Sequence, residues 1–203
     1  MRGKFIVFEG IDASGKGTQS AKLVDYLNSI GVNAIYTHEP TSTNPIGMLI
    51  KDWLDKKIEI TSMHAIPLLY AADRYEHVEN VIKPALERGT WVIADRYFYS
   101  TLAYETAILN GGDDIFEWIE MVHKYILRPD YVFYIKISPE ESVRRKPKGD
   151  RLERIDMQKK FYSEYEKIVK KYSNIIVING EQDVNTVFND IKSKMDEILK
   201  GRQ

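Results

Sequence analysis

The chain contains no cysteine. That excludes disulfides, thiolate catalysis and cysteine-ligated zinc. Histidine is sparse. His38, His64, His77 and His123 are scattered without metal-ligand spacing and read as surface or core residues. Long apolar runs are missing as well. The apolar stretch 5–8 is too short for a signal-peptide core and far too short to cross a membrane, so a soluble, cytoplasmic chain with no membrane partner is expected. Excess charge of either sign is absent, with a formal net charge of −1, which does not suggest a nucleic-acid partner. There is no internal repeat and no Pro- or Ser-rich linker. What remains is 203 residues, 43% of them apolar. That length and composition fit one α/β domain spanning 1–203 with a sizeable core.

Two periodicities alternate along the chain. Phe5-Ile6-Val7-Phe8 is a continuous run of strand-forming residues, as expected of a strand buried on both faces. Ala21, Leu23, Val24, Leu27 and Ile30 then recur at helical spacing, and Gly31 stops that helix. The pattern predicts strands over 33–37, 91–94, 131–137 and 174–178. It predicts helices over 45–54, 100–109 and 113–125, and a helical region over 62–87 in two pieces, with Pro67 bending the first. A last helix carries Val184, Val187, Phe188, Ile191, Met195 and Ile198 on one face. Five strands separated by helices argue for an α/β fold: a five-stranded parallel sheet, doubly wound, with helices on both faces.

The first strand runs into Gly10-Ile11-Asp12-Ala13-Ser14-Gly15-Lys16-Gly17-Thr18, and a helix follows. Glycines let the backbone curl so that several N–H groups point into one concavity. The helix N-terminus adds its dipole and Lys16 a full charge. The combination is a phosphate cradle, the P-loop of an NTPase fold, and predicts ATP binding through residues 10–18. Most such loops place Ser or Thr directly after the lysine to hold magnesium, whereas here Gly17 stands there and Thr18 follows. The third strand ends in Asp95-Arg96-Tyr97. Ligands of open α/β sheets sit at the carboxyl ends of strands, so Asp95 can position hydrated Mg²⁺ and Arg96 can grip a phosphate.

Four motifs in order now bring a family into view. Asp12 within the loop, Tyr70-Ala71-Ala72-Asp73-Arg74, Asp95-Arg96-Tyr97, and then Ser100, Ala103 and Tyr104 together resemble the thymidylate kinase pattern. The resemblance implies transfer of a phosphoryl group from ATP to dTMP, giving dTDP, in a homodimer that uses Mg²⁺. It implies that Tyr70 stacks on thymine and Arg74 bonds the base edge, two side chains that share a helix face at i and i+4. It further implies that Arg96 holds the 5′-phosphate, that Ser100 or Thr101 helps read the base edge, and that Tyr104 lies under the deoxyribose. Asp12 is implied near the 3′-hydroxyl or the magnesium shell, so the candidate metal residues are Asp12, Asp95 and Thr18. Glu39-Pro40 follows the second strand, as in bacterial relatives, and Glu39 is counted with the acceptor site. Glu105 stands where many relatives have glutamine.

The run 144–154 is basic and poor in apolar residues, and by itself it reads as a solvated charge run. Some family members carry a catalytic arginine just after the loop aspartate, where this chain has Ala13. The missing charge there and the excess over 144–154 fit a mobile basic lid. Arg145 and Arg151 are the candidate catalytic cations of that lid, beside Lys16 and Arg96, and Glu153 matches a family glutamate near sugar or metal. Three other readings stay open: another nucleoside monophosphate kinase acting on UMP, CMP or AMP; a deoxynucleoside kinase with Glu39 as base; and a nucleotide-binding regulator without turnover.

Overall fold

A computed structural model describes residues 2–146 and 154–200. Five strands, β1 (Phe5–Glu9), β2 (Ala34–His38), β3 (Trp91–Asp95), β4 (Tyr131–Lys136) and β5 (Ile175–Asn179), pair in the order β2-β3-β1-β4-β5. Every pairing is parallel. β1 lies at the centre of this order and is buried along its whole length. This is why its sequence reads as continuous apolar residues instead of alternating ones.

The side chains of each strand nonetheless divide by parity between two cores. Phe5, Val7, Val92, Ala94, Val132 and Tyr134 point to one face. They meet Phe98 and Leu102 of α5 (Phe98–Leu109) and Phe161, Tyr165 and Ile168 of α8 (Ile155–Lys171). Phe116 and Ile119 of α6 (Gly112–Val122) join the same cluster. Ile6, Phe8, Ile93, Phe133 and Ile135 point the other way, onto Leu23 and Leu27 of α1 (Lys16–Ser29) and Val187, Ile191 and Met195 of α9 (Val184–Lys200). Each large apolar side chain taken fully out of water contributes about 1.5–3 kcal/mol, so these two layers carry most of the folding drive.

The remaining helices flank the strand ends: α2 (Pro45–Leu54), α3 (Ala65–His77), α4 (Lys83–Glu87) and α7 (Pro139–Arg145). Asn44 caps α2 by accepting from the Gly47 amide, and Ser138 caps α7 by accepting from Glu141. One expectation needs correction, and one helix was not expected. Pro67 does not bend a helix: α3 starts at Ala65, so Pro67 lies in the first turn, where a missing N–H costs nothing. The irregularity falls later, in a π turn over Val78–Ile82 that joins α3 to α4. The stretch Ile155–Lys171 carried no expected element, yet it forms a helix of 17 residues.

Candidate active site

The phosphate loop, Glu39 and Arg96 follow the carboxyl ends of β1, β2 and β3, and α3, α5 and α8 bring the other site groups to them. Between β1 and α1 the loop takes left-handed or otherwise positive φ at Gly10 (149°), Ala13 (57°) and Gly15 (95°). Only glycine fits at Gly10, because a Cβ there would sit 2.6 Å from the Ile135 carbonyl oxygen. Ala13 holds the left-handed region at a cost of about 1–2 kcal/mol. This curl aims the loop amides and the start of α1 inward. Lys16, the first residue of α1, is buried and donates to Ile11 O (2.9 Å) and Ser14 Oγ (3.3 Å). Gly17 has a local reason as well. A Cβ there would lie 2.9 Å from Asp95 Oδ2, so the Asp95 carboxylate occupies the space that a side chain at position 17 would enter. Thr18, the next residue, is exposed.

Burial pushes Lys16 down to about 8, with the Arg96 charge acting in the same direction. Phosphate needs the ammonium form, and its pKa is depressed, so affinity for ATP should be full below about pH 8 and should fall as pH rises through that value. The limiting loss is about tenfold per pH unit. Measuring the KM for ATP from neutral to alkaline pH checks this, and a flat profile would contradict it.

Arg96 is the hub. It adopts φ 67° directly after β3. Its Nη2 donates to Asp12 Oδ1 (2.5 Å) and Tyr104 Oη (3.2 Å), and its Nη1 to Ser100 Oγ (3.1 Å) and the Gly10 carbonyl (3.4 Å). One guanidinium thus ties the phosphate loop to α5. Burial opposes ionisation of Asp12, but the Arg96 and Lys16 charges outweigh it and hold that carboxyl below its usual range. Asp12 Oδ2 accepts from Gln158 of α8 (3.1 Å), and the Asp12 carbonyl accepts from Ser142 of α7 (2.8 Å).

Beneath Arg96 lies Glu9, which the sequence reading passed over. It accepts from the amides of Tyr97 (2.9 Å) and Ser100 (3.1 Å) and from the hydroxyls of Ser100 (2.6 Å) and Tyr165 (2.8 Å). Ser100 therefore gives its proton to Glu9 and its lone pair to Arg96. Burial pushes Glu9 up, and these hydrogen bonds oppose the shift. A lone acidic residue ending an apolar strand was the available signal.

A second buried network surrounds Arg74, which is 1% exposed. Arg74 Nε donates to Glu39 Oε2 (2.7 Å), Nη2 to Thr101 Oγ1 (3.1 Å), and Nη1 to His123 Nε2 (2.6 Å). Arginine only donates, so His123 Nε2 accepts and its Nδ1–H donates to the Ile119 carbonyl (2.8 Å). Burial and then the Arg74 charge hold His123 down at about 3. The other oxygen of Glu39 meets His77 Nδ1 at 3.0 Å. His123 and His77 carried no sequence expectation beyond surface or core, and both prove to be core residues of this network.

Between α3 and α5 lies a cavity of ≈ 200 Å³. Tyr70, Arg74, Arg96, Ser100, Thr101 and Tyr104 line it, with Asp12, Glu39 and Glu105 among the rest. Tyr104 stacks on Phe161 with ring centroids 4.0 Å apart, and its hydroxyl faces Arg96. The predicted acceptor residues within the described chain are therefore gathered round one opening, and it adjoins the phosphate loop.

Of the basic run, Arg145 ends α7. Its Nη1 donates to the Ala13 carbonyl (3.3 Å) and its Nη2 to the Gly180 carbonyl after β5 (2.8 Å). Arg151 and Glu153 lie outside the described residues. Among the described residues no group of three or more His, Asp or Glu side chains is placed to hold a metal by itself, and no helix is long and apolar enough to cross a membrane.

Comparison with known proteins agrees with this geometry. A sequence model of the family described as thymidylate kinase matches residues 8–191. The chain is 38% identical to a probable thymidylate kinase of Thermococcus kodakarensis, covering 96% of this chain and 98% of the relative. It is 35% identical to the thymidylate kinase of Caldicellulosiruptor saccharolyticus, with all of both chains covered. The solved structure of thymidylate kinase from Candida albicans superposes with a TM-score of 0.86 at 28% identity, covering 100% of this chain and 94% of that one. With the P-loop, the Arg96 hub and the lined cavity in one α/β sheet, the chain belongs to the thymidylate kinase family.

Proposed function

We propose that the chain transfers the γ-phosphoryl group of ATP to dTMP, giving ADP and dTDP, with the cavity between α3 and α5 as the acceptor site. The observation that carries this reading is Arg96, which lines the cavity and donates to Asp12 and Gly10 of the phosphate loop at once. A cation so placed can hold the acceptor phosphate against the donor. An oxygen of the dTMP phosphate attacks the γ-phosphorus, and the bond to the β–γ bridging oxygen breaks. The acceptor is already an anion, so no side-chain nucleophile is needed. What the protein supplies is alignment and charge. Lys16 faces the ATP phosphates, Arg96 the acceptor phosphate, and Arg145 stands beside the loop at Ala13, with Arg151 the further lid cation. Tyr70 stacks on the base, Arg74 and Thr101 border its edge, Ser100 fixes Arg96, and Tyr104 lies against the sugar. Glu153 is assigned near sugar or metal on the family resemblance alone.

The residues at the loop fit Mg²⁺. Asp95 Oδ1 is buried without a hydrogen-bond partner, and its carboxylate fills the space beside Gly17. Asp95 and Asp12 would hold the ion, partly through water, with Thr18 nearby. An ion held there would supply charge to offset that of the phosphates. The rival reading as a deoxynucleoside kinase needs Glu39 as a base, but that carboxylate is committed to Arg74 and His77. The proposal extends to a cytoplasmic homodimer. Met48 and Leu49 of α2 and Leu68 of neighbouring α3 are exposed large apolar side chains suited to pairing. Light scattering at twice the chain mass is the expected result, and a monomer would remove that part.

The decisive experiment is ADP formation from ATP and Mg²⁺ with dTMP, dUMP, UMP, CMP, AMP and thymidine. dTMP should lead. dUMP should follow within roughly tenfold, since one methyl group contributes only about 1 kcal/mol. Preference for a ribonucleotide or for thymidine would overturn the acceptor assignment.

A further inference from the structure

Glu105 follows Tyr104 on α5 and lines the acceptor cavity, yet nothing above uses it. It is 3% exposed, and its Oε2 has no hydrogen-bond partner. The other described buried side-chain oxygens without partners, such as Asp95 Oδ1, Thr106 Oγ1 and Tyr134 Oη, do not line this cavity. A buried polar atom left unmatched costs about 1–3 kcal/mol, and more if charged, so an oxygen kept so at a cavity wall reads as reserved for a ligand.

The surroundings decide its protonation. Arg74, which lines the same cavity from α3, donates to Glu39, His123 and Thr101. Arg96, also on the cavity wall, donates to Asp12, Ser100, Tyr104 and Gly10. The remaining near group on α3 is the Tyr70 phenol, itself pushed up by burial first and by Glu105 second. Burial is the one cause that acts on the Glu105 carboxyl, with no charge of the described residues offsetting it. An unpaired buried carboxyl stays neutral because ionising it in a low-dielectric pocket is costly.

We propose that Glu105 reads the imide edge of the acceptor pyrimidine as a neutral carboxylic acid, its carbonyl accepting from N3–H and its O–H donating to O4. The acid and the imide edge match in two hydrogen bonds. The ionised carboxylate would keep one and set two lone-pair-bearing oxygens against each other. The assignment rests on dTMP as acceptor. It makes Glu105 a specificity-determining residue, with affinity for the base tied to its proton. Burial alone pushes Glu105 up to about 8. dTMP affinity is therefore full below that pH and declines as pH rises through it.

The test compares the KM for dTMP in wild type and Glu105→Gln at about pH 7 and about pH 9, with ATP saturating. The amide offers the same acceptor and donor but never ionises. The ratio of wild-type to variant KM should rise roughly five- to tenfold between the two pH values. Titration of Lys16 affects both proteins and cancels in the ratio. A ratio that does not change, or a variant whose KM rises as the wild type's does, overturns the proposal. Turnover of dTMP absent at every pH would instead overturn the acceptor reading itself. Wild type alone gives a second measurement: calorimetry of thymidine binding at about pH 8.5 in two buffers of different ionisation heat. Thymidine has no phosphate to perturb Lys16. Proton uptake of roughly 0.7 per site is expected, and none would overturn the proposal.

Discussion

Arg96→Ala should lower kcat by about 10²–10³-fold while the melting temperature moves by only a few degrees. The activity loss follows from position. Arg96 is the guanidinium that touches both the phosphate loop and the acceptor cavity, and truncation removes charge from the point where donor and acceptor phosphates must converge. The fold survives because the Arg96 side chain is itself not fully buried, at 23% exposure. Its partner Asp12 keeps contacts to Gln158 and, through its carbonyl, to Ser142. Arg96→Lys separates charge from shape. Lysine keeps the charge but cannot span Asp12, Ser100 and Tyr104 together, so its kcat should fall between wild type and alanine. Steady-state kinetics beside thermal melts read both effects. Near-normal turnover in a folded Arg96→Ala protein would remove Arg96 from the proposed chemistry.

Arg74→Ala should instead be chiefly a stability lesion, costing about 3–5 kcal/mol, or roughly 10 °C or more in melting temperature. Glu39 and Arg74 are both almost wholly buried, and removing the arginine strips the carboxylate of its counter-ion. His123 loses its donor as well, and Thr101 loses a partner at its hydroxyl. A buried acceptor without a donor costs its full desolvation. Because the same guanidinium borders the acceptor cavity, the KM for dTMP should also rise. A double substitution of Glu39 and Arg74 by similarly sized apolar residues should recover part of the melting temperature and none of the dTMP affinity. If the double substitution restored affinity, Arg74 would be structural only.

These two arginines show how unevenly the site was legible. Arg96 stood out because it follows a strand end in a short motif, and strand ends are where ligands of such sheets gather. Arg74 was placed by its i, i+4 relation to Tyr70, and that relation holds in α3. Their partners were not legible. Glu9 meets Ser100 and Tyr165, and Arg74 meets His123, across long stretches of sequence that only the packed sheet brings together. Helix α8 was a different kind of miss. Phe161, Tyr165 and Ile168 do recur at helical spacing, but the neighbouring basic run drew the reading towards charge and away from period. Pro67 misled because a proline inside a long helical stretch looks like a bend until the helix start is known.

The π turn at Val78–Ile82 has a consequence for chain length. Such a turn holds one residue more than a regular helix would over the same span. It therefore sets the phase of α3 against α4, as a key sets a shaft in its hub. Both Val78 and Ile82 are buried in the core beside the sheet, so the shaft is anchored at this joint. Losing a single residue here would turn everything upstream by about 100°. Tyr70 and Arg74 would then swing away from the cavity while the sheet stayed whole. Side chains at this joint are open to exchange for others of like size, but the count of residues through it is not.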